Sequence, residues 1–133
     1  MLMIKIRLTR LILTAVVTLL FLSLPAITLA ADDFSPLVGR WQRTDGGYII
    51  HIRNIDSNGK IDAAYFNPRP INVSHAQALK HEDKVKIELE LRDVGYPGSA
   101  YNLVYIPVKD MLFGYYYHAT SEQFFDVTFV RMR

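Results

Sequence analysis

Val85, Ile87, Leu89 and Leu91 alternate with Lys84, Lys86, Glu88, Glu90 and Arg92. A period of two places successive side chains on opposite faces, so this run predicts a strand with one face buried and one in water. Shorter runs of the same character recur at residues 37–43, 48–54, 61–66, 100–107, 111–118 and 123–131. Asp45-Gly46-Gly47 and Asn58-Gly59 punctuate them with residues that tolerate the left-handed backbone of tight hairpins. Residues 71–79 read two ways. Ile71 and Val73 after Pro70 suit a strand, whereas Ser74-His75-Ala76-Gln77 also fits the capping box of a short helix. Taken as a strand, the segment completes an all-β chain of eight antiparallel strands in simple succession. That pattern predicts an up-and-down barrel, with an open sandwich as the alternative.

The start of the chain follows another pattern. Residues 11–22 are almost wholly apolar, follow Lys5, Arg7 and Arg10, and lead to Thr28-Leu29-Ala30. A basic start, a short apolar stretch and small residues before Ala31 predict a signal peptide over residues 1–30, cleaved after Ala30. About 12 apolar residues are too few to span a bilayer, so no membrane anchor is expected after cleavage. What remains, residues 31–133, is the size of one small domain. The expected location is the periplasm or the extracellular medium.

Removing the leader changes the charge balance. Three of the 15 basic residues lie in it, leaving twelve against 13 acidic residues, so the chain's +2 becomes about −1. Nucleic acid is therefore not an expected partner, because its recognition needs clustered excess cations. The chain contains no cysteine, which excludes disulfides, thiol catalysis and thiolate metal sites. An exported domain of this size without covalent staples must rely on apolar burial and a closed hydrogen-bond ladder, as a barrel provides.

Gly39-Arg40-Trp41 near the start of the domain and Arg131 near its end, together with the strand count and order, resemble the calycin superfamily. That group includes lipocalins, avidins and small periplasmic inhibitors of bacterial metalloproteases. The resemblance implies a structural plug at a closed end. Gly39 would leave space, Trp41 would fill the end, and Arg131 would cover its ring by cation–π contact. Gly59-Lys60-Ile61-Asp62-Ala63-Ala64-Tyr65 is similar to the third strand of an avidin, which implies Tyr65 pointing inward with Asn67 at the rim. Avidins wall their pocket with several tryptophans, and this chain has one. Arg43 also stands where an avidin offers a small polar residue, so biotin is not the expected ligand.

Connections in an up-and-down barrel alternate between its ends. The turns near Asp45, residues 67–70, 93–99 and 119–122 therefore belong to one mouth. Two of these loops are elaborate and Pro-containing, and they nominate Tyr65, Asn67, Arg69 and Tyr96 as ligand-binding residues. In Tyr115-Tyr116-Tyr117-His118, alternation puts either Tyr116 with His118 or Tyr115 with Tyr117 inside. Phe125, Val127 and Phe129 share one face of the last run while Phe124 and Val130 occupy the other, a two-sided strand that points to a homo-oligomer or a covering segment.

The sequence has no motif of a zinc protease, P-loop, dinucleotide site or nucleophile elbow. His51, His75, His81 and His118 stand apart from one another. No catalytic residue, metal or cofactor is assigned. The expected function is that of an exported, non-catalytic binding barrel that holds a small apolar or amphipathic ligand or presents its mouth loops to a protein. The alternatives are a periplasmic protease inhibitor, with residues 31–36 as its inserted arm, and an envelope assembly subunit.

Overall fold

The computed structural model describes residues 30–133. Residues 1–29, and with them the signal-peptide assignment, lie outside the described residues. Residues Ala31–Arg133 form one compact unit, an all-antiparallel and nearly closed β-barrel.

The strands are β1 Gly39–Arg43, β2 Ile49–Ile55, β3 Ile61–Asn67, β4 Arg69–Ile71, β5 Val73–His81, β6 Lys84–Leu91, β7 Ala100–Ile106, β8 Met111–His118 and β9 Gln123–Arg131. They pair in the order β4-β3-β2-β1-β9-β8-β7-β6-β5. First and last strands meet directly, with Trp41 opposite Arg131 and Arg43 opposite Phe129.

The count is nine strands rather than the eight expected. Residues 71–79 are extended, so the helix reading of the capping box fails, but the segment changes partners partway along. Its start belongs to β4, which pairs with β3, and its remainder to β5, which pairs with β6. Asn72 sits between them, where its backbone N–H and side-chain amide both donate to Asp93, at 2.9 and 2.7 Å, and its carbonyl accepts from Arg92. A residue bonded to a loop cannot continue a ladder, so one predicted strand becomes two.

This change of partner also carries the chain across the seam of the barrel. Between β3 and β5 the described pairing is an isolated bridge from Lys60, just before β3, to Gln77, where the Ala78 N–H donates to the Gly59 carbonyl at 2.7 Å. Gly59 has φ +80°, and a Cβ there would lie 2.2 Å from the Ala78 carbonyl oxygen. Only glycine permits that approach.

Alternation fills the interior as the pattern predicts. Ile87, Leu89 and Leu91 from β6 meet Ile50, Ile52, Leu103, Leu112, Val127 and Phe129, all buried. Phe34 and Leu37 join this core from the segment before β1, where residues Ser35–Leu37 make a single 3₁₀ turn.

One end is sealed. Trp41 is fully buried, and its Nε1 donates to the Leu37 carbonyl at 2.8 Å. The Arg131 guanidinium carbon lies 4.2 Å from the centre of the Trp41 ring. Arg131 also donates to both oxygens of Asp110, at 2.7 and 3.0 Å, and to the carbonyls of Val38 and Pro36. Those hydrogen bonds to Asp110 raise the pKa of Arg131 and hold that of the Asp110 carboxyl below its ordinary range. Gly39 has φ +140°, and a Cβ on it would come within 2.7 Å of an Arg131 nitrogen. Gly39 is thus favoured by its backbone conformation and leaves room for the arginine that covers the tryptophan.

Candidate functional site

The opposite end is open. Because β1 runs from the sealed end outward, period two sends Arg43 into the same interior as Trp41, but near the mouth. A charged residue that is only 8% exposed needs partners, and Arg43 has them on several sides. Its Nε and Nη2 grip Asp45 as a fork, at 2.8 and 2.6 Å, and its Nη1 donates to the Tyr101 hydroxyl at 3.1 Å. The guanidinium carbon also lies 4.2 Å from the centre of the Tyr48 ring. Burial opposes the charge, but the hydrogen bonds to Asp45 and Tyr101 outweigh it, and the pKa of Arg43 is raised. Its hydrogen bonds in turn hold the Asp45 carboxyl below its ordinary range.

Tyr101 passes the network on. Its hydroxyl lies 2.9 Å from that of Tyr65, both rings being buried. Burial raises the pKa of Tyr65, with the neighbouring Tyr101 adding to the effect. Burial likewise pushes Tyr101 up to about 12, although its hydrogen bonds to Tyr65 and Arg43 pull the other way. Both phenols stay protonated at neutral pH, and the pair forms a buried polar floor across the barrel.

Above this floor is a cavity of about 610 Å³, within the size range of small-molecule sites. Five phenyl or phenol rings line it, from Tyr48, Tyr65, Tyr96, Tyr116 and Phe125. The polar lining comes from Asn67, His118, Ser121 and Gln123, with Arg43 below and Gly95 completing the wall. Among the described residues no aliphatic side chain lines the cavity. Tyr116 stacks at 4.6 Å on Tyr101, and burial raises its pKa. At the rim, the Asn67 amide donates to the Tyr96 hydroxyl at 2.5 Å, and His118 Nδ1 lies 2.7 Å from the Ser121 hydroxyl.

Of the four nominated ligand residues, Tyr65, Asn67 and Tyr96 meet at this cavity. Arg69 does not line it; it is exposed on β4. The parity left open at Tyr115-Tyr116-Tyr117-His118 resolves with Tyr116 and His118 toward the cavity. Tyr115 and Tyr117 face outward and contact Phe124.

The sequence reading missed Arg43, Tyr48, Tyr101, Ser121, Gln123 and Phe125. For Arg43 the signal was available, since an inward Trp41 dictates an inward residue two positions later. For Ser121 and Gln123 there was none, because a hairpin of small polar residues looks the same whether or not it borders a cavity.

Among the described residues no group of three or more His, Asp or Glu side chains is assembled to hold a metal ion. Comparison with known protein families, characterised proteins and solved structures finds no match to this chain.

Proposed function

We propose that this protein is an exported, non-catalytic, calycin-like barrel whose mouth holds a small amphipathic ligand. The observation that carries the reading is the open cavity of about 610 Å³ above a buried Arg43–Tyr101–Tyr65 network. Such a floor supplies buried polar atoms, while the surrounding rings supply contact area at little cost in ordering. The Trp41–Arg131 plug supports the calycin-like assignment. His118, the last residue of β8, pairs with Ser121 of the following turn, and among the described residues no third group is hydrogen-bonded to the imidazole to orient it as a general base.

The test is native mass spectrometry of protein purified from its own envelope without denaturation. A small molecule retained at one per chain, and lost from Tyr96→Ala, supports the reading. A co-purifying protease with an empty mouth overturns it in favour of the inhibitor alternative. Turnover in a broad hydrolase screen that disappears in Ser121→Ala overturns the non-catalytic part.

A specific observation favours a second reading, the assembly subunit. Phe113, Tyr115 and Phe124 on the outer face of β8 and β9 are 48%, 41% and 66% exposed, an aromatic patch beyond isolated surface residues. Sedimentation that shifts to a larger species with concentration, and returns to monomer in Phe124→Ser, supports it.

A further inference from the structure

We infer that the ligand of the mouth is a neutral polyhydroxylated ring compound, a mono- or disaccharide; this rests on the binding reading above and names its ligand class. Three features of the cavity converge on that chemistry.

The first is the wall. Among the described residues the lining alternates aromatic rings with neutral polar groups, so a hydrocarbon chain would find no continuous apolar wall. It would also strip water from Asn67, His118, Ser121 and Gln123 without replacing their hydrogen bonds. A sugar presents C–H faces to aromatic rings and hydroxyls around its edge, which suits a wall that alternates rings with neutral polar groups. Phe125 is 46% exposed at the end of the inward face of β9, and Tyr96 is half-buried in the loop opposite Asn67. Both offer ring surface at the rim.

The second is the charge. Among the described residues Arg43 is the one permanently charged residue in the lining, and its bidentate pairing with Asp45 matches that charge locally. No acidic side chain among the described residues lines the cavity. An anion would have to compete with Asp45 for the guanidinium fork, and a cation would find ring faces already shared with the Arg43 charge and no carboxylate among the described lining residues.

The third is the hydrogen-bonding inventory. Asn67 spends one amide N–H on Tyr96 and retains a carbonyl oxygen and a second N–H. His118 uses Nδ1 on Ser121 and retains Nε2. Gln123 contributes a further amide to the lining. Amides that offer a donor and an acceptor side by side are complementary to hydroxyls on adjacent ring carbons, each of which is itself donor and acceptor. The cavity has room for one or two such rings.

Saturation-transfer NMR on the natively purified protein tests this with two probe sets. One contains glucose, galactose, N-acetylglucosamine, maltose, cellobiose and chitobiose; the other contains decanoate and 4-hydroxybenzoate. The expected result is transfer to at least one sugar, with affinity reduced tenfold or more in Gln123→Ala and in Phe125→Ala while their thermal midpoints stay near that of the parent. Transfer only to decanoate or 4-hydroxybenzoate, sensitive to the same substitutions, overturns the sugar assignment and leaves the mouth-binding reading standing. Transfer to neither set overturns both. Sugar transfer that survives both substitutions places binding elsewhere and overturns the inference.

Discussion

The two ends of the barrel are built from the same three chemical parts, an arginine, an aspartate and an aromatic ring, yet one end is closed and the other open. At the sealed end Arg131 lies over Trp41, is forked to Asp110 and donates to two further carbonyls. Four of its five N–H donors thus go to protein acceptors. At the mouth Arg43 lies over Tyr48, is forked to Asp45 and donates once more, to the Tyr101 hydroxyl. The partners beyond the fork make the difference. Backbone carbonyls from the segment before β1 bring chain across the first arginine, with Phe34 and Leu37 buried beside it. A phenol beneath the second leaves it facing the open mouth. Whether an arginine–aromatic stack becomes a plug or the floor of a site is decided by whether neighbouring backbone covers it.

The largest effect expected from breaking this comparison is at the sealed end. Trp41→Ala should cost about 3–5 kcal/mol, the range for deleting a core aromatic, read by urea denaturation. A loss below about 1 kcal/mol would show that the ring is not what holds the closed end.

Alkali should act mainly on the mouth. A phenol whose folded pKa is raised contributes stability that is complete below its unfolded value, near 10, and is lost as pH rises through the folded one. For Tyr101, shifted up to about 12, that loss is on the order of 2 kcal/mol across this window. Tyr65 and Tyr116, raised by burial, add in the same direction, as does Tyr105 near the sealed end. Urea midpoints at about pH 9 and pH 12 should differ accordingly, and equal midpoints would show that the phenols are not buried as a network. The acid limb has the opposite sign. Asp45 and Asp110 are both depressed, so their contributions are present above the ordinary carboxylate range and lost as pH falls through the folded values.

A sharper cut is Tyr101→Phe, which removes one hydroxyl from between Arg43 and Tyr65. The expected cost is about 1–2 kcal/mol, because two buried polar groups each lose a partner. Retained stability would mean that water replaces the hydroxyl. The smallest effect should come from Asp45→Asn. The Asp45 side chain is 56% exposed and Asn keeps an acceptor oxygen for the buried Arg43, so the expected cost to folding is about 1 kcal/mol. Its signature lies elsewhere, since an unmatched Arg43 should give the mouth a new affinity for small anions. Acetate or benzoate binding by the variant but not the parent, measured by NMR titration, would confirm that Asp45 keeps the cavity neutral.

What the amino-acid order determined alone was periodic and local. The alternation at Val85, Ile87, Leu89 and Leu91 set a strand and its inward face, and the Gly-rich turns set antiparallel neighbours. The positions of Trp41 and Arg131 at opposite chain ends brought them together once first and last strands paired. Tyr65, Asn67 and Tyr96 could be nominated for a shared mouth because connections in a meander alternate ends. Tertiary structure decided the rest, because it depends on contacts between residues far apart in the chain. Asp93 interrupts a strand at Asn72 by hydrogen-bonding it from 21 residues away. The inside face of Tyr115-Tyr116-Tyr117-His118 was set by pairing, which places Tyr116 between Tyr101 and Phe125. The burial of Arg43 was implied by local alternation, but its meaning came from Tyr101, 58 residues on. Periodicity says which way a side chain faces; only the assembled barrel says whether it meets a plug or a cavity.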